Sequence, residues 1–268
     1  MTLAPQRLDI AYRIEWQGTW HVGSGFGTAR ADRLVRRWGG RNGPAFVPGS
    51  QLKGVLRHQA ERLAATLLPE ECPVVPPHAN GQDAVQALLE HFLPLDQSPA
   101  LVDRLFGTRY QGDCLYVDDA LPDPVERARA SDETSIVPPR LMARTAMDRL
   151  TGTVRERHLF VTEISEPGTQ PLQGRIRARH PAGVLLPHDG FPLEYALLIA
   201  ALIGIEGLGG DKSVGQGHCR IVINDEPAMR WSDGDRETTI GVAEALALFK
   251  SDEWATYVEL LEEERRAR

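Results

Sequence analysis

The 268-residue sequence predicts an α+β fold of the ferredoxin-like type. Three observations predict it. Apolar periodicity along the chain runs strand, helix, strand, two strands, helix, strand. The two long helical stretches each lie against a glycine-rich segment carrying a lysine. Long polar or proline-rich stretches interrupt the order without replacing any member of it, and so read as insertions.

The elements follow in order. Leu8 to Val22 alternates loosely, with Ile10, Tyr12, Ile14, Trp16 and Trp20 on one face of a strand. Gly23 to Pro48 is rich in Gly and Arg and longer than an ordinary connection, which marks it as functional. Ser50 caps a helix to about Leu68, whose stripe is Leu52, Val55, Leu56, Leu63 and Leu67, with Lys53 and Arg57 a turn apart on another face. Pro69 to Gln82 breaks the pattern, and Ala84 to Phe92 reads as a short helix. Asp113 to Leu121 is a strand, followed by a weakly patterned polar stretch from Asp123 to Arg140. His158 to Glu166 and Pro171 to His180 read as two strands joined by Glu166-Pro-Gly-Thr-Gln170 into a hairpin. Pro192 to Ile203 is almost wholly apolar, a buried helix that stops at the second glycine segment. His218 to Asn224 closes the order, which is also that of an RRM-like sheet. Val242, Leu246, Phe249, Trp254, Val258 and Leu261 then form a helical stripe in a C-terminal extension spanning 226–268.

Charge is unevenly placed. Through residue 66 ten basic residues stand against four acidic ones, a net of +6, so a chain of net −7 carries −13 beyond that point. A basic N-terminal third suits phosphates, while the acidic remainder suits solvent or a basic partner. No apolar stretch is long enough to span a bilayer and Met1 to Arg13 is mixed and polar, so a cytoplasmic protein without membrane contact is expected. Cys72, Cys114 and Cys219 are odd in number and widely spaced, which predicts reduced, mostly buried thiols.

The glycine segments run Phe46-Val-Pro-Gly-Ser-Gln-Leu-Lys-Gly54 and Gly207-Leu-Gly-Gly-Asp-Lys-Ser-Val-Gly-Gln-Gly217. Backbone amides that glycine leaves approachable, with a lysine beside them, suit an anionic backbone, and RNA is the inferred ligand. The second segment is not a nucleotide-triphosphate loop, because Asp211 separates Gly210 from Lys212. Gly23-Ser-Gly-Phe-Gly27 lacks dinucleotide-binding spacing. His58, Cys72, His78 and His91 match no paired-cysteine pattern, so zinc is not expected.

Taken in order, a set of local motifs resembles the RAMP superfamily of CRISPR proteins: His21-Val-Gly-Ser-Gly25, a downstream Asp32, Val47-Pro-Gly-Ser50 with Leu52-Lys-Gly54 and Arg57, and Arg104-Leu-Phe-Gly107. Leu115-Tyr-Val-Asp118, Met147-Asp-Arg149 with Thr151-Gly152, the Glu166-Pro-Gly-Thr169 turn and the Gly207-to-Gly217 loop continue it. The set is most similar to the backbone subunits of type III effector complexes, the Csm-like and Cmr-like filament formers. The resemblance implies a ferredoxin-like palm over 1–225, with insertions at about 69–112 and 123–140 and a thumb hairpin at about 150–180. It further implies stacking of copies or homologous subunits along a guide RNA, pairing with target RNA, and contacts with other effector subunits. Asp32 stands where the family's catalytic loop aspartate does, as the ligand of Mg²⁺ or Mn²⁺ in target cleavage. Expected RNA contacts are His21, Gly23, Ser24, Gly25, Arg30, Arg33 and Arg36 in the long loop, and Gly49, Ser50, Lys53, Gly54 and Arg57 at the helix start. Arg149 in the thumb, and Gly209, Gly210, Lys212, Ser213 and Gly215 in the second loop, complete the set. Two departures stand out: Gln51 replaces a second serine, and Arg36-Arg37-Trp38 lacks an acidic residue after its arginine.

The arginines around Asp32, namely Arg30, Arg33, Arg36 and Arg37, are suited to clamp phosphates bidentately. The plain alternative is that Asp32 pairs with one of them. Two other functional readings stay open: a scaffold that binds guide RNA without cutting, and a metal-independent processing nuclease with His21 or His58 as acid or base. An unrelated RNA-recognition module lacks support, because no paired aromatic motif stands on a sheet strand.

Overall fold

The structure, a computed structural model, describes residues 6–40, 43–67, 101–107, 112–124, 140–167, 171–180, 192–223, 229–233 and 236–267. The expected helix at Ala84 to Phe92, most of the 69–112 and 123–140 insertions, and Cys72, His78 and His91 lie outside the described residues.

The central sheet is built on β1 (Gln6–Trp16). Leu8, Ile10, Tyr12 and Ile14 are each no more than 1% exposed, so every second residue meets the core. β5 (Leu172–His180) runs antiparallel along one edge of β1, and β2 (Leu115–Val117) pairs β5 beyond it. On the other edge β6 (Cys219–Ile223) pairs the second half of β1, from Tyr12 to Trp16. The order β2-β5-β1-β6 is that of the ferredoxin-like sheet, with every neighbour antiparallel.

Two helices cover one face. α1 (Gly49–Leu67) buries Leu52, Leu56, Ala60 and Ala64, one residue per turn. The inward stripe therefore runs through small alanines, with Leu63 partly buried beside it and Leu67 exposed, because α3 (Leu193–Ile203) packs closely against it. α3 is apolar nearly all round and buried nearly all round. α2 (Leu101–Phe106) packs on both α1 and α3 and ends at Gly107, whose φ of 72° is the left-handed turn that stops a helix. Between α2 and α3, Arg104 Nε meets Glu194 Oε1 at 2.9 Å with both side chains wholly buried.

The expected hairpin of 158–166 with 171–180 is corrected by the pairing. β4 (Val154–Ile164) pairs instead with β3 (Arg140–Met147), across a turn at 148–153, while β5 belongs to the central sheet. The physical reason is burial: Leu172, Ile176 and Ala178 give β5 an apolar face for the helix layer, whereas the outer half of β4 is exposed and pairs only locally. The protruding hairpin thus spans 140–164. Its tip is an Asx turn in which Asp148 Oδ1 accepts from the amides of Leu150 at 2.8 Å and Thr151 at 3.1 Å. Those two bonds hold the Asp148 carboxyl below its ordinary pKa, the Thr151 amide contributing most.

Nor is 226–268 a purely helical extension. β7 (Met229–Asp233) pairs β1 from Arg7 to Ile10, and β8 (Arg236–Thr239) pairs β7, so the central sheet continues past residue 225. α4 (Val242–Ala247) and α5 (Asp252–Ala267) follow, the former against α3. Ala245, Leu248, Trp254 and Tyr257 carry the buried side of this segment. Among the described residues no helix is long and apolar enough to cross a membrane.

Candidate nucleic-acid interface

The described residues of 17–48 form a strap laid over the base of the β3–β4 hairpin. It is not a free loop. Trp20 and Ser165 exchange backbone hydrogen bonds of 2.9 Å, Asp32 N donates to Val161 O at 2.8 Å, and Glu163 N donates to Arg33 O at 2.8 Å. The strap therefore adds a short strand to β4.

Glu163 is the buried anchor under it. One carboxylate oxygen accepts from the Val35 amide at 3.0 Å, the other from Arg37 Nη2 at 2.7 Å. Its backbone carbonyl accepts from His21 Nδ1 at 2.7 Å. Arg37 is thereby removed from the set of free phosphate clamps, since its other nitrogen goes to Gly43 O at 3.0 Å.

The Gly207-to-Gly217 loop closes the site from the other side. Gly210 N donates to His21 O at 2.8 Å and Gly217 N to Thr19 O at 2.8 Å. Gly209 sits at φ 91°, and a Cβ there would collide with the His21 carbonyl oxygen, so glycine serves the close approach of two backbones. Asp211, itself left-handed at φ 59°, binds Arg33 Nη1 and Arg144 Nη1, each at 3.2 Å. One carboxylate thus ties strap, hairpin and glycine loop together.

The expected residues fall into separate groups. His21, Gly23, Ser24, Gly25, Asp32 and Arg33 assemble with Gly209 and Gly210 around the base of β4. Arg30, Arg36, Lys212, Ser213 and Gly215 are exposed. Arg36 lies between the two glycine segments: its amide donates to Val22 O at 2.7 Å, its carbonyl accepts from Phe46 N at 3.4 Å, and its guanidinium stands 6.0 Å from the Phe46 ring. The second group, Gly49, Ser50, Lys53, Gly54 and Arg57, lies on α1. Arg149 is at the hairpin tip, roughly 20 Å from Val161 at strand rise.

Three expectations change in this geometry. The His21 side chain is 2% exposed and locked by Glu163, so it supports the strap rather than reaching a ligand. Gly49 gives its amide to Asp119 Oδ1 at 2.7 Å, and a Cβ there would collide with the Val117 carbonyl; its glycine serves the junction of α1 with β2. Lys53 and Arg57 turn onto the segment before β2. Lys53 Nζ pairs Asp113 Oδ1 at 2.7 Å and donates to Leu115 O at 2.9 Å, while Arg57 takes Glu61 at 2.8 Å and Gly107 O at 3.3 Å. Carbonyls and carboxylates nearby thus hold both cations internally, although Arg57 Nη2 is buried with no hydrogen-bond partner among the described residues. Glu163 and Arg144 carry no motif in the sequence, and Asp211, though inside the second glycine segment, is not marked there as a site residue; only their meeting point reveals them.

Asp32 is exposed, and Oδ2 accepts from Val161 N at 2.7 Å. Among the described residues it makes no arginine pair, since Arg33 goes to Asp211 and Arg37 to Glu163. No three His, Cys, Asp or Glu residues cluster as a metal cage among the described residues. A single exposed carboxylate is the donor set suited to a hard divalent ion that takes its other ligands from water and phosphate. Burial pushes the thiols of Cys114 and Cys219 up to about 12, which leaves both as inert thiols at neutral pH.

Burial also lowers the His21 pKa, outweighing the bond to Glu163 O. Since Nδ1 donates to a carbonyl, the neutral ring carries its proton there. The unfolded state then binds the proton more readily, so stability falls as pH drops through the ordinary histidine pKa toward the lowered one. A melting-temperature profile from pH 8 to 5 should fall, and His21→Gln should fall less steeply over that window.

The model of the RAMP superfamily matches residues 14–220 of this chain. No curated protein matches it.

Proposed function

The chain belongs to the RAMP superfamily, which includes type III CRISPR effector subunits, and on that premise we propose that it is a guide-RNA-binding backbone subunit of Csm-like or Cmr-like kind. Copies or homologous subunits stack along the guide beside other effector subunits, and complementary target RNA is cut at Asp32 with Mg²⁺ or Mn²⁺. The observation that carries this reading is the union of the two glycine segments. Gly210 bonds His21, Val22 bonds Arg36, and Arg36 bonds Phe46, so one continuous backbone path joins the loops. Exposed Arg30, Arg36 and Lys212 border that path as phosphate contacts.

In cleavage the RNA supplies its own 2′-hydroxyl as nucleophile, so the protein's work is to orient the backbone and stabilise charge. Asp32 would hold the cation, whose part is to neutralise charge developing on the phosphate. Glu163 and Asp211 keep the strap, and with it Asp32, in place. The hydrogen bond from Val161 to Asp32 favours a second reading, a non-cutting scaffold, because it gives the carboxylate a structural task that needs no cation. For a metal-independent nuclease, the enclosure of His21 leaves exposed His58 on α1 as the acid or base.

Co-purified RNA tests the assignment: guide fragments in a length series sharing one repeat-derived end are expected. For the surface, Arg36→Ala with Lys212→Ala should lower the salt slope of RNA binding by about two, one per phosphate contact. Lys53→Ala should leave that slope unchanged while lowering stability, because its charge is spent on Asp113 and Leu115. An unchanged slope in the double variant rejects the surface.

A further inference from the structure

The face of the central sheet opposite the helices carries one row that crosses four strands in register. Tyr116 of β2 stands opposite Arg177 of β5, Arg177 opposite Asp9 of β1, and Asp9 opposite Arg230 of β7. Leu115, Ile176, Ala178, Leu8 and Ile10, their neighbours in sequence, are buried on the helix side, so the row faces outward. At the usual strand spacing it is about 14 Å long. Together with Arg7 and Glu237 these side chains line a cleft of about 570 Å³.

Two features of the cleft point to one ligand. Tyr116 is 58% exposed in spite of its size, a flat platform at one end. Asp9 Oδ1 is shut from water yet has no hydrogen-bond partner among the described residues, while Oδ2 faces Arg175 at 3.6 Å. The Asp9 side chain as a whole is 36% exposed, so its carboxylate still offers an acceptor that a ligand N–H can reach from the cleft. Arg7, Arg177 and Arg230 outnumber Asp9 and Glu237, so the lining keeps a cationic excess. Their ion pairs, Arg177 with Asp118 at 2.6 Å and Arg230 with Glu237 at 3.9 Å, are exposed and individually weak. A phosphate, which arginine binds bidentately, competes with them on good terms.

We propose that this cleft is a second binding site, distinct from the strap, for a 5′-phosphorylated nucleotide whose base stacks on Tyr116, donates an N–H to Asp9 and sets its phosphate among the arginines. An acidic peptide would use the arginines but neither the ring nor the exposed part of the Asp9 carboxylate. The nucleotide comes either free or at the end of a single strand, and the probes separate these sources.

The experiment is a titration of the full-length chain with guanosine 5′-monophosphate. A 5′-phosphorylated single-stranded RNA hexamer is titrated in parallel into the Arg36→Ala, Lys212→Ala background, which removes the strap contacts. Tyr116→Ala should weaken the tighter of the two probes about tenfold, the scale of one base–aromatic stack, and Tyr116→Phe should restore it. Asp9→Ala, which removes the acceptor, should weaken it as well. Tighter binding of the monophosphate assigns a free nucleotide, tighter binding of the hexamer a strand end, and either supports the site. Affinity unmoved by Tyr116→Ala, no binding of either probe, or stronger binding of an Asp/Glu-rich peptide than of both overturns it. These results leave the guide-RNA reading untouched, because that reading is judged on the strap variants and on co-purified RNA.

Discussion

Asp32→Asn should slow target cutting by a reconstituted complex at least about a hundredfold while leaving guide and target affinity near wild type. Asparagine is the informative substitution. Its carbonyl oxygen can still accept from Val161 N, which Asp32 Oδ2 does at 2.7 Å, so the strap stays docked while the negative charge is lost. Asp32→Ala removes charge and anchor together; it should abolish cutting as well, with some added loss of order in the strap. Single-turnover cleavage and equilibrium binding on the same preparation separate the two effects. Undiminished cutting by Asp32→Asn would exclude the catalytic role and leave the scaffold reading.

Arg104→Ala should destabilise the fold by about 3–5 kcal/mol, since it removes the cation that the buried Glu194 carboxylate faces. Both partners are wholly buried, and they tie α2 to the first turn of α3. Glu194 also lies at the positive end of that helix, which offsets part of its burial cost but cannot replace an arginine. Urea denaturation gives the magnitude directly. Replacing the pair together, Arg104→Met with Glu194→Leu, should recover much of the loss, because apolar side chains of similar volume carry no desolvation cost. A double variant as unstable as Arg104→Ala would mean that packing, and not charge, is what the pair supplies. Arg104 belongs to a motif by which the chain resembles its superfamily, yet its place marks it as a fold anchor and not a ligand contact.

The same division runs through the rest of the molecule. Alternation in β1, the stripe around Leu52 and Leu56, and the unbroken apolar run of α3 are local patterns, and each produced its element, although β1 ends at Trp16 rather than Val22 and leaves Trp20 to the strap, where it bridges Ser165. The ferredoxin-like order followed, since those patterns leave few ways to bury their faces. The partner of β4 was not legible: its residues alternate as well for one neighbour as for another, and turn chemistry at 166–170 pointed to β5. β7 and β8 escaped notice because each is short, and β7, which carries β8 beside it, pairs β1 residues more than 200 positions away.

From the sequence alone came the fold class and the two glycine segments, because glycine spacing and apolar period are properties of neighbours along the chain, and the family resemblance singled out Asp32 as the candidate for cleavage. Tertiary structure alone decided which cations remain free. Lys53, Arg57 and Arg37 look as available in the sequence as Arg36 and Lys212, but a salt bridge depends on what folding brings within 4 Å. It likewise turned Glu163 and Asp211 into the joints of the site and set Tyr116, Arg177, Asp9 and Arg230 in one row. Such arrangements are made by contacts between distant residues, and those contacts carry no periodic trace in the chain that forms them.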